Sequence, residues 1–160
     1  CNGAGNASTF NSEEGILFVE IAALTSSDTT NPNRDISISD GTINNTLIIY
    51  YQSSLNRISV YINVGNVMVA LGSTTSYTVT NFNKIAVRWK ENDFRMYING
   101  TLVYSDTSGA SFSSGTLNRV NFDNAIGNDD FYGKCKDLRV YDTEGMTDTE
   151  INNLLTQLTQ

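Results

Sequence analysis

The chain has 160 residues, enough for one domain with a sizeable core. It carries 10 basic against 17 acidic residues, a net charge of −7, so its surface repels nucleic acid and anionic lipid. It has no histidine, which is the commonest general base and metal ligand. No apolar run approaches the roughly 20 residues that cross a bilayer. We therefore expect no nucleic-acid partner and no membrane insertion. No signal peptide is visible, and the abrupt start at Cys1 leads us to expect further sequence upstream.

The first part of the chain separates into a polar segment and a strand. Residues 1–14 are rich in Gly, Asn and Ser and predict an extended lead-in, whereas 15–160 predict one folded domain. The continuous apolar run at 16–24 predicts a central strand buried on both faces. Further strands are predicted from apolar–polar patterns at 36–39, 47–51, 57–64, 67–71, 77–79 and 117–122.

The central stretch, 84–106, predicts three antiparallel strands joined by two tight turns. Its apolar residues alternate with polar ones, the period of a half-buried strand. Asn99-Gly100 tolerates positive φ at both positions and predicts a two-residue hairpin, as Gly65-Asn66 does earlier in the chain. A meander with one apolar face needs a second layer over it, which the rest of the chain supplies.

The C-terminal part predicts a long strand followed by a short helix. The strand is predicted at 131–141, and 147–150 has the Thr-x-x-Glu pattern of a capping box. The helix that follows is expected to bury Ile151, Leu154 and Leu155, which have helical spacing. About eleven short strands and one terminal helix predict an all-β fold, a two-sheet antiparallel jelly-roll sandwich with a short C-terminal helix.

Five segments after the apolar first strand follow a specific order: 84–89, 94–100, 131–133, 137–142 and 147–151. In this order the sequence resembles the concanavalin A-like jelly roll, in its laminin G-like and pentraxin-like branch. The similarity is greatest to phage tail-fibre and receptor-binding proteins that carry this domain. The resemblance implies two curved sheets of six or seven strands that bind glycans or protein surfaces without chemistry. Its motifs are strand and turn positions, so they specify the fold better than the ligand.

The resemblance leads us to expect a non-catalytic, lectin-like module that recognises a surface glycan or receptor. The expected setting is extracellular or on a virion surface, such as a phage tail or fibre, where the resemblance also implies a homotrimer. The alternative is a structural or decoration domain that contacts other protein subunits.

An enzyme of the same fold, a glycoside hydrolase or a polysaccharide lyase, is the third hypothesis. A retaining hydrolase needs two carboxyl groups about 5–5.5 Å apart. The acidic pairs with suitable spacing, Glu91/Asp93 and Asp148/Glu150, lie in a turn and at a helix cap. A lyase of this type is expected to use a His–Tyr pair, and histidine is absent. We therefore expect no catalysis.

Four side chains in the outward register are candidate ligand contacts: Tyr61, Arg88, Arg95 and Tyr97. Aromatic faces stack on sugars, and Arg forks hydrogen-bond hydroxyls or acidic groups. If these side chains share one sheet, they form a binding platform. The alternative is that they decorate exposed sheet faces and pair across strands for stability. Trp89 is in the opposite register, so we expect it to be a core residue.

The polar loop near the end of the chain is a second candidate site. Calcium takes six to eight oxygen ligands, and the resemblance implies that such domains often hold calcium. The loop lacks the alternating spacing of a dedicated site, so a solvated turn is the alternative interpretation. No other cofactor is expected. The residues of this candidate site are Asp123, Asn124, Asn128, Asp129 and Asp130, and a sparser set of the same types is Asp28, Asn31, Asn33 and Asp35.

The two cysteines, Cys1 and Cys135, are far apart in the sequence. One hypothesis is a disulfide that ties the N-terminus to a late strand, and another is a lipid on a processed Cys1. The alternative is two free thiols, with Cys135 as a small buried hydrophobic residue. The absence of a CxxC motif excludes a metal cluster and a redox pair of that kind.

Overall fold

The chain forms two antiparallel sheets that face each other, with one helix outside them. The computed structural model describes residues 5–26 and 33–160. Within this part of the chain the strands are β1 (Glu14–Ala23), β2 (Asn33–Ser39), β3 (Thr46–Gln52), β4 (Arg57–Val64), β5 (Val67–Thr74), β6 (Asn83–Lys90), β7 (Phe94–Ile98), β8 (Thr101–Asp106), β9 (Arg119–Asn121) and β10 (Gly133–Asp142). A single turn of 3₁₀ helix covers Ser53–Leu55, and the helix α1 covers Asp148–Thr159.

The two sheets have distinct surroundings, and we name them accordingly. The helix-side sheet has the strand order β10-β1-β6-β7-β8, and the open sheet has the order β5-β4-β3-β2-β9. All strand pairs are antiparallel. The predicted fold class, a two-sheet sandwich with a C-terminal helix, is therefore confirmed. Each sheet has five strands in the described chain, fewer than the six or seven that the resemblance implied.

The core lies between the sheets and contains every second residue of the main strands, as the alternating pattern predicted. Trp89 is fully buried there, and its Nε1 donates to the carbonyl of Ser12 at 3.0 Å. Tyr51 is also fully buried, and its hydroxyl donates to the carbonyl of Ile21 at 2.8 Å. Each large aromatic ring therefore fills the core and keeps its polar atom paired.

Two hairpins close as the sequence predicted. Gly65 and Asn66, between β4 and β5, have φ of 57° and 66°. Asn99 and Gly100, between β7 and β8, have φ of 49° and 81°. Positive φ at both central residues gives a turn whose twist matches that of the flanking strands.

The helix α1 begins at the predicted capping box and covers one sheet. The backbone N–H of Glu150 donates to Thr147 Oγ1, and the backbone N–H of Thr147 donates to Glu150 Oε2. Ile151 and Leu155 are buried on the outer face of the helix-side sheet, and Leu154 is partly buried. Neither α1 nor any other helix in the described chain has the length and hydropathy to cross a membrane.

The strand predicted at 77–79 does not form, and this prediction is wrong. The segment is a loop that turns at residues 79–80. Val79 is nevertheless fully buried, and its carbonyl accepts from the N–H of Ala23 at 2.7 Å. The hydroxyl of Tyr77 donates to the carbonyl of Ile98 at 3.2 Å. Two apolar side chains spaced like those of a strand are thus buried by a loop that seals the end of the sandwich.

Candidate functional site

The four predicted platform residues lie on two different sheets. Tyr61 is on β4 in the open sheet, whereas Arg88 is on β6 and Arg95 and Tyr97 are on β7 in the helix-side sheet. They therefore cannot form one binding face, and the prediction of a shared platform is wrong. An outward register places a side chain on the outside of the sandwich, but it does not determine which of the two outer faces.

The three helix-side residues connect the sheet to the segment around α1. Arg88 is fully buried, with its Nε 2.6 Å from Asp93 Oδ2 and its Nη1 donating to Thr143 Oγ1 at 3.0 Å. Arg95 pairs with the other oxygen of Asp93 at 2.6 Å and donates to Asn152 Oδ1 of the helix. Tyr97 packs against the apolar cluster beneath α1. These contacts agree with the stabilising interpretation of outward polar residues.

The outer face of the open sheet has a polar and aromatic surface. Asp35, Ser37, Ile48, Tyr50 and Tyr61 point away from the core, because their neighbours in sequence fill it. Two rows cross the strands from β2 to β5: Ser37–Ile48–Tyr61–Leu71, and Asp35–Tyr50–Ser59–Ser73.

A cleft of about 270 Å³ lies on this face, and we call it the Tyr50–Tyr61 cleft. Ile48 and Asp35 are buried at its floor, and the half-buried rings of Tyr50 and Tyr61 stand beside each other on adjacent strands. They occupy diagonal positions, which are roughly 7–8 Å apart in an antiparallel pair. Its lining residues are Asn33, Asp35, Ile43, Ile48, Tyr50, Tyr61, Asn124 and Asp129.

Asp35 is the most perturbed group in the cleft. It is 4% exposed, its Oδ1 accepts no hydrogen bond within the protein, and its backbone N–H donates to the carbonyl of Asp129 at 3.1 Å. Burial, with the negative charges of Asp129 and Asp123, raises the pKa of Asp35 to about 8, and Arg34 partly opposes the shift. Groups perturbed in this way and placed in a cleft are candidates for functional sites.

Four buried side-chain oxygens in the described chain make no hydrogen bond within the protein. All four lie on the outer face of the open sheet, beneath or beside the cleft. Unpaired buried polar groups cost roughly 1–3 kcal/mol each and are rare in folded proteins. They are concentrated on one face but have no exposed surface, so the polar groups that this face offers to a ligand are those of other side chains. The atoms are Asp35 Oδ1, Ser37 Oγ, Thr46 Oγ1 and Ser59 Oγ.

The sequence matches a known family over most of its length. A laminin G family model, described as the concanavalin A-like lectin/glucanases superfamily, matches residues 21–152. The chain belongs to this superfamily. The resemblance inferred from the order of strand and turn segments is therefore confirmed at the level of the superfamily.

Several solved structures have the same fold as this chain. The CBM40 module of the Ruminococcus gnavus IT-sialidase is 14% identical, covers 96% of this chain and 93% of its own, and has a TM-score of 0.69. That module has also been solved bound to α2,3-sialyllactose. The carbohydrate-binding module CBM66 from Bacillus subtilis is 11% identical, with coverages of 84% and 78% and a TM-score of 0.59. Domains LG4-5 of mouse laminin α1 are 12% identical, with coverages of 89% and 41% and a TM-score of 0.60. At identities this low, the similarity shows a common fold only.

No curated protein sequence matches the chain.

The loop predicted as a calcium site lies beside the cleft. Asp123 Oδ1 accepts from the N–H of Ala125 at 2.7 Å, and Asn124 Oδ1 accepts from the N–H of Asn128 at 3.1 Å. Asn124 Nδ2 donates to Asp129 Oδ2 at 3.1 Å. Asp130, which is exposed, contributes no side chain to the cleft lining.

These loop oxygens hold the loop's own turns together, as the solvated-turn interpretation expects. Across residues 5–26 and 33–160, no group of three or more acidic, cysteine or histidine side chains is placed to hold a metal ion. The donor set does not fit a calcium site, and we derive no role for calcium from it.

Cys135 is exposed on β10, so its interpretation as a buried hydrophobic residue is wrong. Its Sγ donates to the carbonyl of Asp137 at 3.4 Å. Because β10 is an edge strand of the helix-side sheet, Cys135 faces solvent. Cys1 lies outside the described residues, and both the disulfide and the lipid hypotheses stay predictions.

A second cleft, of about 410 Å³, lies between the edge strands β9 and β10. It is lined mainly by Phe10, Val120, Phe122, Leu138 and Val140, which pack against or belong to the core. Among the described residues, its lining offers one polar side chain, that of Thr9, and no charged or amide group, so it has few side-chain partners for the hydroxyl groups of a sugar.

Sequence reasoning found part of the cleft. The sequence had placed Tyr61 in the predicted platform and Asn124 and Asp129 in the predicted calcium loop. It had placed Asn33 and Asp35 only in the sparser polar set. Asp28 and Asn31 of that set lie outside the described residues. Tyr50 was missed, although it has the same outward register in β3 that identified Tyr61 in β4. Asp35 and Asp129 are 94 positions apart, so their proximity has no local signal in the sequence.

Proposed function

We propose that the chain is a non-catalytic carbohydrate-binding module whose ligand, a surface glycan, binds in the Tyr50–Tyr61 cleft. The observation that carries this proposal is a pair of half-buried tyrosines above unpaired polar groups, on a sheet face that no helix of the described residues covers. The similarity to carbohydrate-binding modules of Ruminococcus gnavus and Bacillus subtilis supports it.

The cleft offers the two kinds of contact that sugars use. The rings of Tyr50 and Tyr61 present flat surfaces for the C–H faces of a pyranose. Asn33, Asn124 and Asp129 present amide and carboxylate groups at the rim for its hydroxyls. The volume of about 270 Å³ is just below the range of about 300–1,000 Å³ for small-molecule pockets, so the cleft fits a terminal sugar better than a long chain.

Single-site binding is expected to be weak. A shallow cleft buries little of the ligand, and an affinity in the millimolar to micromolar range, about −4 to −8 kcal/mol, is the expected outcome. Several copies on one assembly raise the effective concentration of sites. We therefore propose a setting outside a cell or on a virion, for example three copies on a phage fibre. This part of the proposal rests on the resemblance to receptor-binding proteins.

Glycoside hydrolysis is the second candidate, because Asp35 lies near two other carboxyl groups and is protonated around neutral pH. A general acid must approach the glycosidic oxygen to about hydrogen-bond distance. Asp35 Oδ1 is buried, and Asp35 as a whole is only 4% exposed. We therefore propose binding without turnover, and release of reducing sugar from a bound glycan, lost in Asp35→Asn, would contradict it.

The experiment that tests the proposal compares two tyrosine variants on a glycan array. Tyr61→Ala removes a wall of the cleft. We expect it to lower the affinity at least tenfold for the glycans that the unmodified chain binds. Tyr97→Ala removes a tyrosine from the helix-side sheet and serves as the matched control. Both variants are first checked for retained folding by circular dichroism and thermal unfolding.

Three outcomes count against the proposal. No binding by the unmodified chain to any glycan would favour a structural or decoration domain, especially if the chain oligomerises. Equal losses in both folded variants would remove the specific role of Tyr61. A loss in Tyr97→Ala alone would place the site on the helix-side sheet.

A further inference from the structure

We propose that the Tyr50–Tyr61 cleft selects uncharged sugars and excludes acidic ones, such as sialic acid and uronic acids. This inference rests on the proposed function and specifies its ligand class. It follows from the charges that line the cleft and from those that surround it.

The lining of the cleft is acidic. Of the eight lining residues in the described part of the chain, Asp35 and Asp129 carry carboxyl groups, and none is Arg or Lys. Asp123 lies close enough to interact electrostatically with Asp35. Because Asp35 holds its proton around neutral pH, Asp129 and the nearby Asp123 supply the negative charge there. They repel a sugar carboxylate placed in the cleft, in a partly desolvated setting where screening is weaker than in bulk water.

The nearest cations, Arg34 and Arg57, are not among the lining residues of the cleft and are engaged by other groups, although Arg34 is close enough to lower the pKa of Asp35. Arg34, next to Asp35 in sequence, is buried, donates from Nη1 to the carbonyl of Asn33, and has its guanidinium 5.4 Å from the ring centroid of Tyr132. Arg57 Nη1 donates to Gln52 Oε1 at 3.3 Å.

Arg119 is the exposed cation at the other end of the same face. It pairs with Ser39, four residues along β2 from Asp35, a distance of roughly 13 Å at the usual rise of a strand. Its Nε donates to Asn118 Oδ1 at 2.8 Å. A terminal sugar that stacks on Tyr50 and Tyr61 therefore lies closer to Asp129, which lines the cleft, than to Arg119.

The rim of the cleft suits neutral hydroxyl groups. The side-chain amides of Asn33 and Asn124 can both donate and accept hydrogen bonds, as sugar hydroxyls can. The carboxylate of Asp129 accepts hydrogen bonds from sugar O–H groups, whereas an ionised sugar carboxylate has no proton to offer it. The expected ligand, a neutral sugar, therefore differs in class from the acidic sialyllactose to which the R. gnavus module has been solved bound.

The test uses an array of neutral oligosaccharides, each paired with an analogue whose terminal hydroxymethyl group is oxidised to a carboxylate. Lactose and 3′-sialyllactose form a further pair. Affinities of the best pairs are measured by titration calorimetry at neutral pH and about 0.15 M salt. We expect the acidic member of each pair to bind at least tenfold more weakly than the neutral member.

Two variants test whether charge is the cause. Asp129→Asn keeps a side chain that tolerates the positive φ of 54° at this position, and it removes one negative charge from the cleft. We expect it to reduce the neutral-to-acidic affinity ratio at least threefold. Asp130→Asn, which removes a charge from the neighbouring exposed position outside the lining, is the matched control and is expected to leave the ratio unchanged.

The outcomes separate this inference from the proposed function. Acidic members that bind as tightly as their neutral partners overturn the inference and leave glycan binding intact. A neutral preference that Asp129→Asn does not reduce also overturns it, because the charge of the cleft is then not its origin. Absence of binding to every glycan overturns the proposed function and this inference with it.

Discussion

At the scale of single residues, Asp35 affects the stability of the fold and is also part of the candidate site. Its pKa of about 8 in the folded protein, against 3.8 for an ordinary Asp, means that the folded state holds this proton more tightly than the unfolded state does. The proton linkage then lowers the free energy of unfolding as the pH rises from about 4 towards 8. Below pH 4 both states are protonated, and above pH 8 both are ionised, so the effect is confined to that window.

The first prediction follows from this linkage. Between pH 5 and pH 8 we expect the unmodified chain to lose stability relative to Asp35→Asn, on the order of 1 kcal/mol per pH unit. Urea unfolding at several pH values measures this difference. Glu91→Gln, a change at an exposed acid in the β6–β7 turn, is the control. If Asp35→Asn follows the pH dependence of the control, Asp35 is not the group that titrates.

The burial of Asp35 also has a cost in folding stability. A desolvated carboxyl group with an unpaired oxygen opposes folding. Replacing it with Asn or Leu at the floor of the cleft is therefore expected to cost little stability, or to increase it, while changing the surface offered to a sugar. Stability and function make opposite demands at this position.

At the scale of elements, one buried ion network connects α1 and its preceding turn to the helix-side sheet. Asp93 lies between Arg88 and Arg95, and Arg88 also reaches Thr143 and Glu14. Because Arg88 has no exposed surface, removal of Asp93 leaves a buried cation without its main partner.

The second prediction concerns this network. Asp93→Ala is expected to lower the free energy of unfolding by about 3 kcal/mol, within the range for breaking a buried ion pair. Glu91→Ala, two residues earlier in the same turn and exposed, is expected to change it by about 0.5 kcal/mol or less. Denaturant unfolding of the two variants gives the comparison. A loss at Asp93 no larger than that at Glu91 would show that solvent or another group compensates Arg88.

The elements were predictable from the sequence where their signals are local. Period-2 alternation identified β4, β6 and β7, the Asn-Gly and Gly-Asn turns identified two hairpins, and Thr147 with Glu150 identified the start of α1. The segment around Tyr77 and Val79 failed because apolar spacing also occurs in a buried loop. In each successful case, the residues that determine the structure are close in sequence.

The assignment of strands to sheets was not predictable in this way. β1 pairs with β6 and β10, and β2 pairs with β9, so the neighbours come from distant parts of the chain. Tyr61 and Tyr97 share an outward register, yet one lies in the cleft and the other packs beneath α1. Which outer face the helix covers depends on where α1 packs against the sandwich, and no local sequence pattern predicts that position.

At the scale of the whole molecule, the two sheets have different roles. The helix-side sheet has its outer face covered by α1 and fixed by buried ion pairs. The open sheet presents its outer face, with the Tyr50–Tyr61 cleft and the unpaired polar atoms below it. The sandwich thus supplies a packed support on one side and a polar surface on the other, which is the arrangement that the proposed glycan binding requires.

The most direct test of glycan binding in the Tyr50–Tyr61 cleft is an NMR titration of the ¹⁵N-labelled chain with the neutral glycan that binds best on the array. We predict that the backbone amide shifts that move on saturation cluster around residues 33–37, 48–50, 59–61 and 124–129. Amides of β7 and α1 are expected to stay in place. Shifts that cluster instead on Arg95, Tyr97 and α1, or along the apolar cleft between β9 and β10, would contradict the assignment of the site to the open sheet.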